Sequence, residues 1–174
     1  SAEAISELKK LHVRKTVMLT GDTEKTAAAV ASAVGVDEYR AGLLPGDKVS
    51  EVERLLSEKK RGTLAFAGDG INDAPVLMRA DIGIAIGAGT DIAIDSADVM
   101  IAGGSICAVP LIFRLSKGTM KIIRQNLVWA VIYNIICIPI AAAGIVNPSI
   151  AAAAMSLSSN GVLLNSLRLK NIEK

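Results

Sequence analysis

A long stretch of this chain carries no charge. Between Gln125 and Leu167 there is no Asp, Glu, Lys or Arg, whereas the first 124 residues hold most of the charged side chains. The stretch consists of two apolar runs, residues 127–146 and 148–167, joined by a short uncharged turn. Each run has the roughly 20 residues that a helix needs to cross the hydrocarbon core of a bilayer. The pattern therefore predicts a transmembrane hairpin rather than the apolar core of a soluble domain.

Basic residues flank the predicted hairpin at its two outer ends, and the turn near Asn147-Pro148 has none. Cytoplasmic segments next to membrane helices are enriched in Lys and Arg. We therefore expect a multi-pass membrane protein with both ends of the chain in the cytoplasm. The flanking residues are Arg114, Lys117, Lys121 and Arg124 before the first run, and Arg168 and Lys170 after the second.

Composition excludes other classes of protein. The formal net charge is only +2, and no basic stripe alternates with aromatic side chains, which argues against nucleic acid as a partner. Cys107 and Cys137 form no C-x-x-C, so neither a disulfide framework nor a zinc knuckle is predicted. The chain opens directly in a helical pattern without an initiator Met, and we expect it to be a fragment of a longer protein.

The first 105 residues alternate between the period of helices and that of strands. The alternation predicts an α/β domain, a mostly parallel sheet with helices on both faces. The predicted helices are residues 2–11, 24–34, 47–60 and 74–79, with a helical turn at 90–95. The predicted strands are residues 16–19, 39–41, 63–67, 82–86 and 99–102. In sheets of this kind, ligands bind beyond the carboxyl ends of the strands.

An acidic turn follows the predicted strand at 63–67, with the sequence A-G-D-G-I-N-D-A-P. It places the carboxylates of Asp69 and Asp73 and the carboxamide of Asn72 close together in the chain. Mg²⁺ prefers hard oxygen ligands and usually takes one or two carboxylates, leaving positions for water and phosphate. The turn therefore predicts a magnesium site. The alternative is an acidic strand-turn-helix corner without a ligand.

Two further polar motifs follow predicted strands. Thr20-Gly21-Asp22 opens a predicted helix, where its hydroxyl and backbone N–H groups would hold a phosphate, or where it simply caps the helix. Lys48, in P-G-D-K, lies in the first turn of a helix, which is unfavourable against the helix dipole unless an anion is near. We interpret Lys48 as a phosphate clamp, with a solvated surface lysine as the alternative.

This order of motifs resembles the haloacid-dehalogenase-like phosphotransferase core, and T-G-D followed by G-D-G-I-N-D-A-P resembles the phosphorylation domain of P-type cation-transporting ATPases. The resemblance implies transfer of the γ-phosphoryl group of ATP to an aspartate in D-K-T-G-T. That motif does not occur in these 174 residues, so the fragment alone is expected to be inactive. By position, the resemblance implies a phosphate loop at Thr20, Gly21 and Asp22, a clamp at Lys48, and a Mg²⁺ site at Asp69 and Asp73 with Asn72 beside them.

Polar residues inside the two apolar runs carry a second resemblance. Asn126, Tyr133-Asn134 and Pro139 have the spacing N-x6-Y-N-x4-P, which resembles the seventh-helix signature of copper-transporting P-type ATPases; M-S-L-S-S at 155–159 resembles their eighth-helix M-x-x-S-S. A thioether is a soft ligand that favours Cu(I) over hard cations. The resemblance implies a Cu(I) path through Tyr133, Asn134, Met155 and Ser159.

We expect the carboxyl-terminal part of a copper(I)-exporting pump in a bacterial plasma membrane. Residues 1–105 would belong to the phosphorylation domain, 106–124 to a basic linker helix, 125–170 to the transmembrane hairpin and 171–174 to a cytoplasmic tail. The expected partners are the lipid bilayer, a copper chaperone, and the actuator, nucleotide-binding and other transmembrane segments of the pump. The alternatives are a zinc- or cadmium-transporting P-type ATPase and a non-catalytic truncated membrane module.

Overall fold

The computed structural model describes residues 1–69, 73–87, 95–144 and 148–171, with the side chains of Tyr133, 148–154, Leu157, 170 and 171 outside the description. The chain divides into two units, Ser1–Pro110 and Leu111–Lys174. The predicted helical turn at 90–95 and the hairpin turn near Asn147 fall largely or wholly outside the described residues.

The first unit alternates helices and strands, which confirms the α/β class. Its helices are α1 (Ala2–Lys10), α2 (Glu24–Val34), α3 (Pro45–Glu58) and α4 (Ala74–Arg79). Its strands are β1 (Val17–Leu19), β2 (Glu38–Arg40), β3 (Ala65–Gly68), β4 (Ile82–Ile86) and β5 (Val99–Ile101).

Every described strand pairing is parallel. One ladder joins β1 to β2, and a second sheet has the order β3-β4-β5, with Ala65 opposite Ile82 and Ile84 opposite Val99. Parallel neighbours need a crossover connection, and α4 supplies the one between β3 and β4. The carboxyl ends of β3, β4 and β5 therefore lie along one edge, where the acidic turn begins.

Six of the nine described elements of the first unit differ from the prediction by one or two residues at an end, and the two larger differences have a local reason. Strand β3 begins at Ala65 rather than at residue 63, because the N–H of Leu64 donates to Asp81 Oδ2 at 2.7 Å instead of joining the ladder. Helix α3 begins at Pro45 rather than at residue 47. Proline fits the first helical position, and Asp47 Oδ2 accepts from the N–H of Leu44 at 3.0 Å, which closes the first turn.

Helix α4 packs on β4 through a buried apolar cluster. Leu77 is 1% exposed and Ala85 is 2% exposed, and Phe66 of β3 packs against them. Gly83 lies directly under the helix, because a Cβ built on it would stand 2.7 Å from the carbonyl oxygen of Leu77. The close approach of strand and helix therefore requires a residue without a side chain at position 83.

We expect Gly83→Ala to lower the free energy of unfolding by roughly 1–3 kcal/mol, because the new methyl group must displace the backbone of α4. Gly103→Ala is the matched control, since a Cβ at Gly103 meets nothing within 4 Å. Thermal or denaturant unfolding of the two purified variants measures the difference. Equal stability of the two would contradict the packing described here.

A carboxylate ties the amino-terminal helix to the first crossover. Asp37 Oδ2 accepts from both the N–H and the hydroxyl of Thr16 at 2.7 Å, and Asp37 Oδ1 pairs with Lys9 Nζ at 2.9 Å. The Lys9 ammonium and then the two Thr16 donors lower the pKa of Asp37 from 3.8 to about 2. Its ionised form therefore stabilises the fold above pH 3.8, and that stabilisation is lost as the pH falls toward 2.

Asp37→Asn is expected to lower the free energy of unfolding at pH 7 by about 1 kcal/mol or less, because the Lys9 pair is partly exposed to solvent. The difference from the wild-type chain should shrink as the pH falls through the range in which Asp37 takes up its proton. Asp95→Asn serves as the control, because Asp95 is exposed and makes no hydrogen bond or ion pair among the described residues. A pH-independent effect of Asp37→Asn would refute the linkage.

Two long helices make up most of the rest of the chain. Helix α5 (Val109–Ala142) follows a 3₁₀ turn at Ile106–Ala108, and helix α6 (Pro148–Leu167) follows it in the chain. The segment Ile106–Ala142 is long and apolar enough to cross a membrane. The predicted basic linker and most of the first predicted run thus belong to one continuous helix, which also contains Pro139.

An amide cluster joins α5 to α6. Asn126 Nδ2 donates to Ser166 Oγ at 3.0 Å, and Asn165 Nδ2 donates to Asn126 Oδ1 at 2.9 Å and to Gln125 Oε1 at 3.3 Å. All four side chains are half-buried. We call these residues, Gln125, Asn126, Asn165 and Ser166, the amide clasp. Hydrogen bonds between amide side chains are directional, so the clasp fixes which turn of α5 faces which turn of α6.

Candidate functional site

The end of β3 and the start of α4 bring two charged side chains together. Asp73 is 8% exposed, and its backbone carbonyl accepts from the N–H groups of Val76 and Leu77, which begins the helix. Its side chain Oδ1 lies 2.7 Å from Lys48 Nζ, which comes from the first turn of α3. Both side chains are largely removed from water, so this pair interacts more strongly than an exposed pair of the same length.

The carboxylate of Asp73 also lies against the last residue of β3. A Cβ built on Gly68 would stand 2.6 Å from Asp73 Oδ2, so position 68 accommodates no side chain without moving that carboxylate. The strand end, the helix start and the α3 lysine therefore form one packed corner.

Asp69 is the next residue after β3, and its position fits a magnesium ligand. Its side chain is exposed and forms no hydrogen bond or ion pair with any residue that the structure describes. A free carboxylate at the end of a strand suits Mg²⁺, which needs few protein ligands and keeps positions for water and phosphate. The described residues contain no group of three or more His, Cys, Asp or Glu that would hold a metal in an all-protein cage. Asn72 lies outside the described residues.

The Thr20-Gly21-Asp22 turn is organised by its own side chains. The Thr20 hydroxyl donates to Asp22 Oδ2 at 2.8 Å and accepts from the N–H of Asp22 at 3.1 Å. The helix begins two residues later, at Glu24, so this turn precedes the helix instead of capping it. Exposed hydroxyl and carboxylate groups are thus held at the end of β1.

The same turn is attached to the segment that leads into α3. The N–H of Gly42 donates to the carbonyl of Asp22 at 2.8 Å, and the N–H of Leu43 donates to that of Thr20 at 3.1 Å. Gly42 and Leu43 lie two to three residues before the start of α3 at Pro45. These hydrogen bonds therefore attach the turn to the segment that leads into the helix carrying Lys48. The described residues show no direct contact between the turn and Lys48 or Asp73.

The predicted copper path is described in part. Asn134, Met155 and Ser159 are exposed on their helices and make no hydrogen bonds with one another, and Met155 is 69% exposed. The side chain of Tyr133 lies outside the description. Among the described side chains, Asn134, Met155 and Ser159 are therefore not joined by hydrogen bonds.

Sequence reasoning missed most of the amide clasp. Asn126 belongs to the predicted signature, whereas Gln125, Asn165 and Ser166 received no role. The signal that would have found them is a pair of adjacent polar residues at each border of the uncharged stretch. Sequence reasoning also missed the crowding of Gly68 against Asp73, which appears only when strand and helix are in place.

The Lys48–Asp73 pair should contribute measurably to stability. We expect a double-mutant cycle with Lys48→Met and Asp73→Asn to give a coupling free energy of about 1–3 kcal/mol. Arg79 and Glu53 form the matched control, because that pair is equally short at 2.6 Å but about half exposed. Its coupling should stay below about 1 kcal/mol. Equal couplings in the two cycles would show that burial of Lys48 and Asp73 does not strengthen their interaction.

Known proteins resemble this chain over almost its whole length. A haloacid dehalogenase-like hydrolase family model matches residues 1–81. The copper-exporting P-type ATPase of Staphylococcus saprophyticus is 51% identical over 173 residues, covering 99% of this chain and 21% of that protein. The copper-exporting P-type ATPase of Mycobacterium leprae is 50% identical, covering 98% of this chain and 22% of that protein. The chain thus spans about a fifth of the length of these relatives.

The three-dimensional comparison gives the same family. A crystal structure of a zinc-transporting PIB-type ATPase in its E2.Pi state matches with a TM-score of 0.84 and 40% identity, covering 97% of this chain and 27% of that chain. The match extends beyond the α/β unit, since it includes nearly all residues of the chain. The chain therefore belongs, as a segment, to the P-type ATPase family.

Proposed function

We propose that the chain is part of an ATP-driven copper(I) export pump. It supplies the magnesium- and phosphate-stabilising half of the phosphorylation site, and part of the copper path within the membrane. The observation that carries this proposal is the Lys48–Asp73 pair at the end of β3, the strand that Asp69, with its uncommitted carboxylate, directly follows in the chain. This corner presents one cation and one free carboxylate, which are the charges that a phosphoryl group and its magnesium ion require.

Phosphoryl transfer depends mainly on positioning and charge neutralisation. When bound at Asp69, Mg²⁺ supplies positive charge to the oxygens of the transferring group. Lys48 supplies a second positive charge at the same edge, and Asp73 holds the Lys48 ammonium in place through a 2.7 Å contact. The accepting aspartate belongs to D-K-T-G-T, which this chain does not contain.

Thr20, Gly21 and Asp22 act on the phosphoryl group from the end of β1. The Thr20 hydroxyl is oriented by Asp22, and the centre of the turn is tight, because a Cβ on Gly21 would approach the carbonyl oxygen of Leu43 to 3.2 Å. The turn formed by Thr20, Gly21 and Asp22 would sense whether a phosphoryl group is present. Asn72 completes the acidic turn after β3 in this proposal.

The proposed cargo is Cu(I), carried past Tyr133, Asn134, Met155 and Ser159. Support comes from the copper-exporting relatives at about half identity and from the chemistry of the helices. No carboxylate or lysine occurs between Gln125 and Leu167, whereas a thioether is present at Met155. Soft sulfur ligands favour Cu(I). In this proposal the hairpin is embedded in a bacterial plasma membrane with both termini cytoplasmic, and the actuator, the nucleotide-binding part and a copper chaperone are partners.

Zinc transport is the second candidate function. The match to the zinc-transporting ATPase, with its TM-score of 0.84, favours it. In this proposal the corner around Lys48 and Asp73 serves phosphorylation in either case, so it does not distinguish the two cargoes. The two candidates differ only in which metal ion stimulates the ATPase.

The test measures metal-stimulated ATP hydrolysis by the full-length protein that contains this chain. We expect Cu(I) and not Zn²⁺ to stimulate hydrolysis, and Met155→Ala to raise the copper concentration that is needed. Met78→Ala is the matched control, because Met78 is 72% exposed but lies in α4. Asp69→Asn should lower the stimulated rate by at least about 100-fold, since it removes the magnesium ligand.

Other outcomes decide between the alternatives. Stimulation by Zn²⁺ that survives Met155→Ala would replace the copper assignment with the zinc one. Absence of any metal-stimulated hydrolysis would favour a non-catalytic membrane module. An Asp69→Asn variant with full activity would remove Asp69 from the proposed magnesium site.

A further inference from the structure

Helix α5 carries a stripe of basic side chains just before the uncharged stretch begins. Arg114, Lys117, Lys121 and Arg124 are all exposed. At about 100° per residue, their positions fall within an arc of roughly 80° on one side of the helix. We call these four residues the basic stripe.

The two long helices contain no acidic side chain that would pair with Lys121 or Arg124. No Asp or Glu occurs between Asp98 and Glu173, so the region of both helices is exclusively cationic. Lys121 and Arg124 form no hydrogen bond or ion pair with any described residue. Their positive charge is therefore available to an anion from outside the hairpin.

The basic stripe borders a groove that combines charge with apolar surface. This groove is a shallow, solvent-open depression on one side of α5, with a volume of about 420 Å³. Cationic side chains line it together with a hydroxyl, an amide and a thioether. The lining residues are Ser116, Lys117, Met120, Lys121, Arg124 and Gln125. An anionic group would match this mainly cationic and polar lining.

The position of the groove along the helix identifies the source of such an anion. Arg124 immediately precedes the uncharged stretch, and at 1.5 Å per residue Lys121 lies about 4–5 Å and Lys117 about 10 Å farther out. The polar headgroup layer of one leaflet is about 5–8 Å thick. Arg124 and Lys121 therefore lie at headgroup depth when the hairpin is in a bilayer, and Lys117 lies just outside that layer. Arg168 follows the stretch at its other end, directly after α6.

We propose that this groove binds the headgroup of an anionic phospholipid in the cytoplasmic leaflet. The inference rests on the membrane hairpin of the proposed function but not on which metal is transported. Lys121 and Arg124 contact the phosphate, and Lys117 adds attraction from farther out. A basic side chain near an anionic membrane surface contributes about a fivefold gain in affinity.

The test uses the full-length protein in nanodiscs of phosphatidylcholine alone and of phosphatidylcholine mixed with phosphatidylglycerol. Native mass spectrometry of protein released from the discs measures bound phosphatidylglycerol. We expect retained phosphatidylglycerol in the wild-type protein, with an affinity about fivefold lower in Lys121→Gln and again in Arg124→Gln. Lys121→Arg should keep the affinity, because it keeps the charge. Lys25→Gln is the matched control, since Lys25 is exposed and without a described partner in the first unit.

Three results would overturn the proposal. The first is equal retention of the two lipids by the wild-type protein, and the second is unchanged phosphatidylglycerol affinity in both glutamine variants. The third is full displacement of phosphatidylglycerol by an equal concentration of inorganic phosphate, which would make the groove a general phosphate site. If the glutamine variants slow ATP hydrolysis in pure phosphatidylcholine and leave the lipid affinity unchanged, the basic stripe binds an acidic surface of the pump instead of a lipid. Metal-stimulated hydrolysis by the wild-type protein in phosphatidylcholine tests the proposed function separately.

Discussion

The ion pair between Lys48 and Asp73 is the interaction on which the α/β unit and its site depend. Asp73 begins α4 with its backbone carbonyl and holds Lys48 with its side chain, so a single residue orients two crossover helices. Helix α4 in turn presses Leu77 onto β4, where Gly83 leaves room for the helix backbone. The position of the α3 lysine beside the end of β3 thus follows from the packing of the core.

The sequence predicted some of this arrangement well, and the physical reason differs between elements. The bounds of α2 were predicted correctly because Gly35 takes a left-handed conformation at its end, with φ of 79°, which glycine adopts readily. The prediction that Lys48 needs a nearby anion was also physically sound. Its partner in the structure is the carboxylate of Asp73, 25 residues away. The helix dipole indicates that an anion is required, but only the tertiary fold determines which one is supplied.

The membrane part shows a different limit of prediction. Apolar length predicted the helices, but the pairing of two helices depends on axial register, which hydropathy does not contain. The amide clasp supplies that register. Asn126 and position 133 are seven residues apart on α5, as are Ser166 and Ser159 on α6, so each pair shares a helix face. A hydrogen bond between Asn126 and Ser166 therefore sets position 133 and Ser159 at one level of an antiparallel pair.

The order of polar groups along the hairpin gives this register a physical explanation. Directional amide hydrogen bonds lie at the border of the uncharged stretch, and cationic side chains lie immediately beyond them on both helices. An unpaired amide is costly in hydrocarbon, so the clasp is favourable only when its members satisfy one another. In the proposed transmembrane hairpin, a shift of one helix by a single turn would break these bonds and carry Arg124 or Arg168 toward the apolar core. Hydrogen bonding and charge would then oppose the same displacement and hold the two helices at one depth.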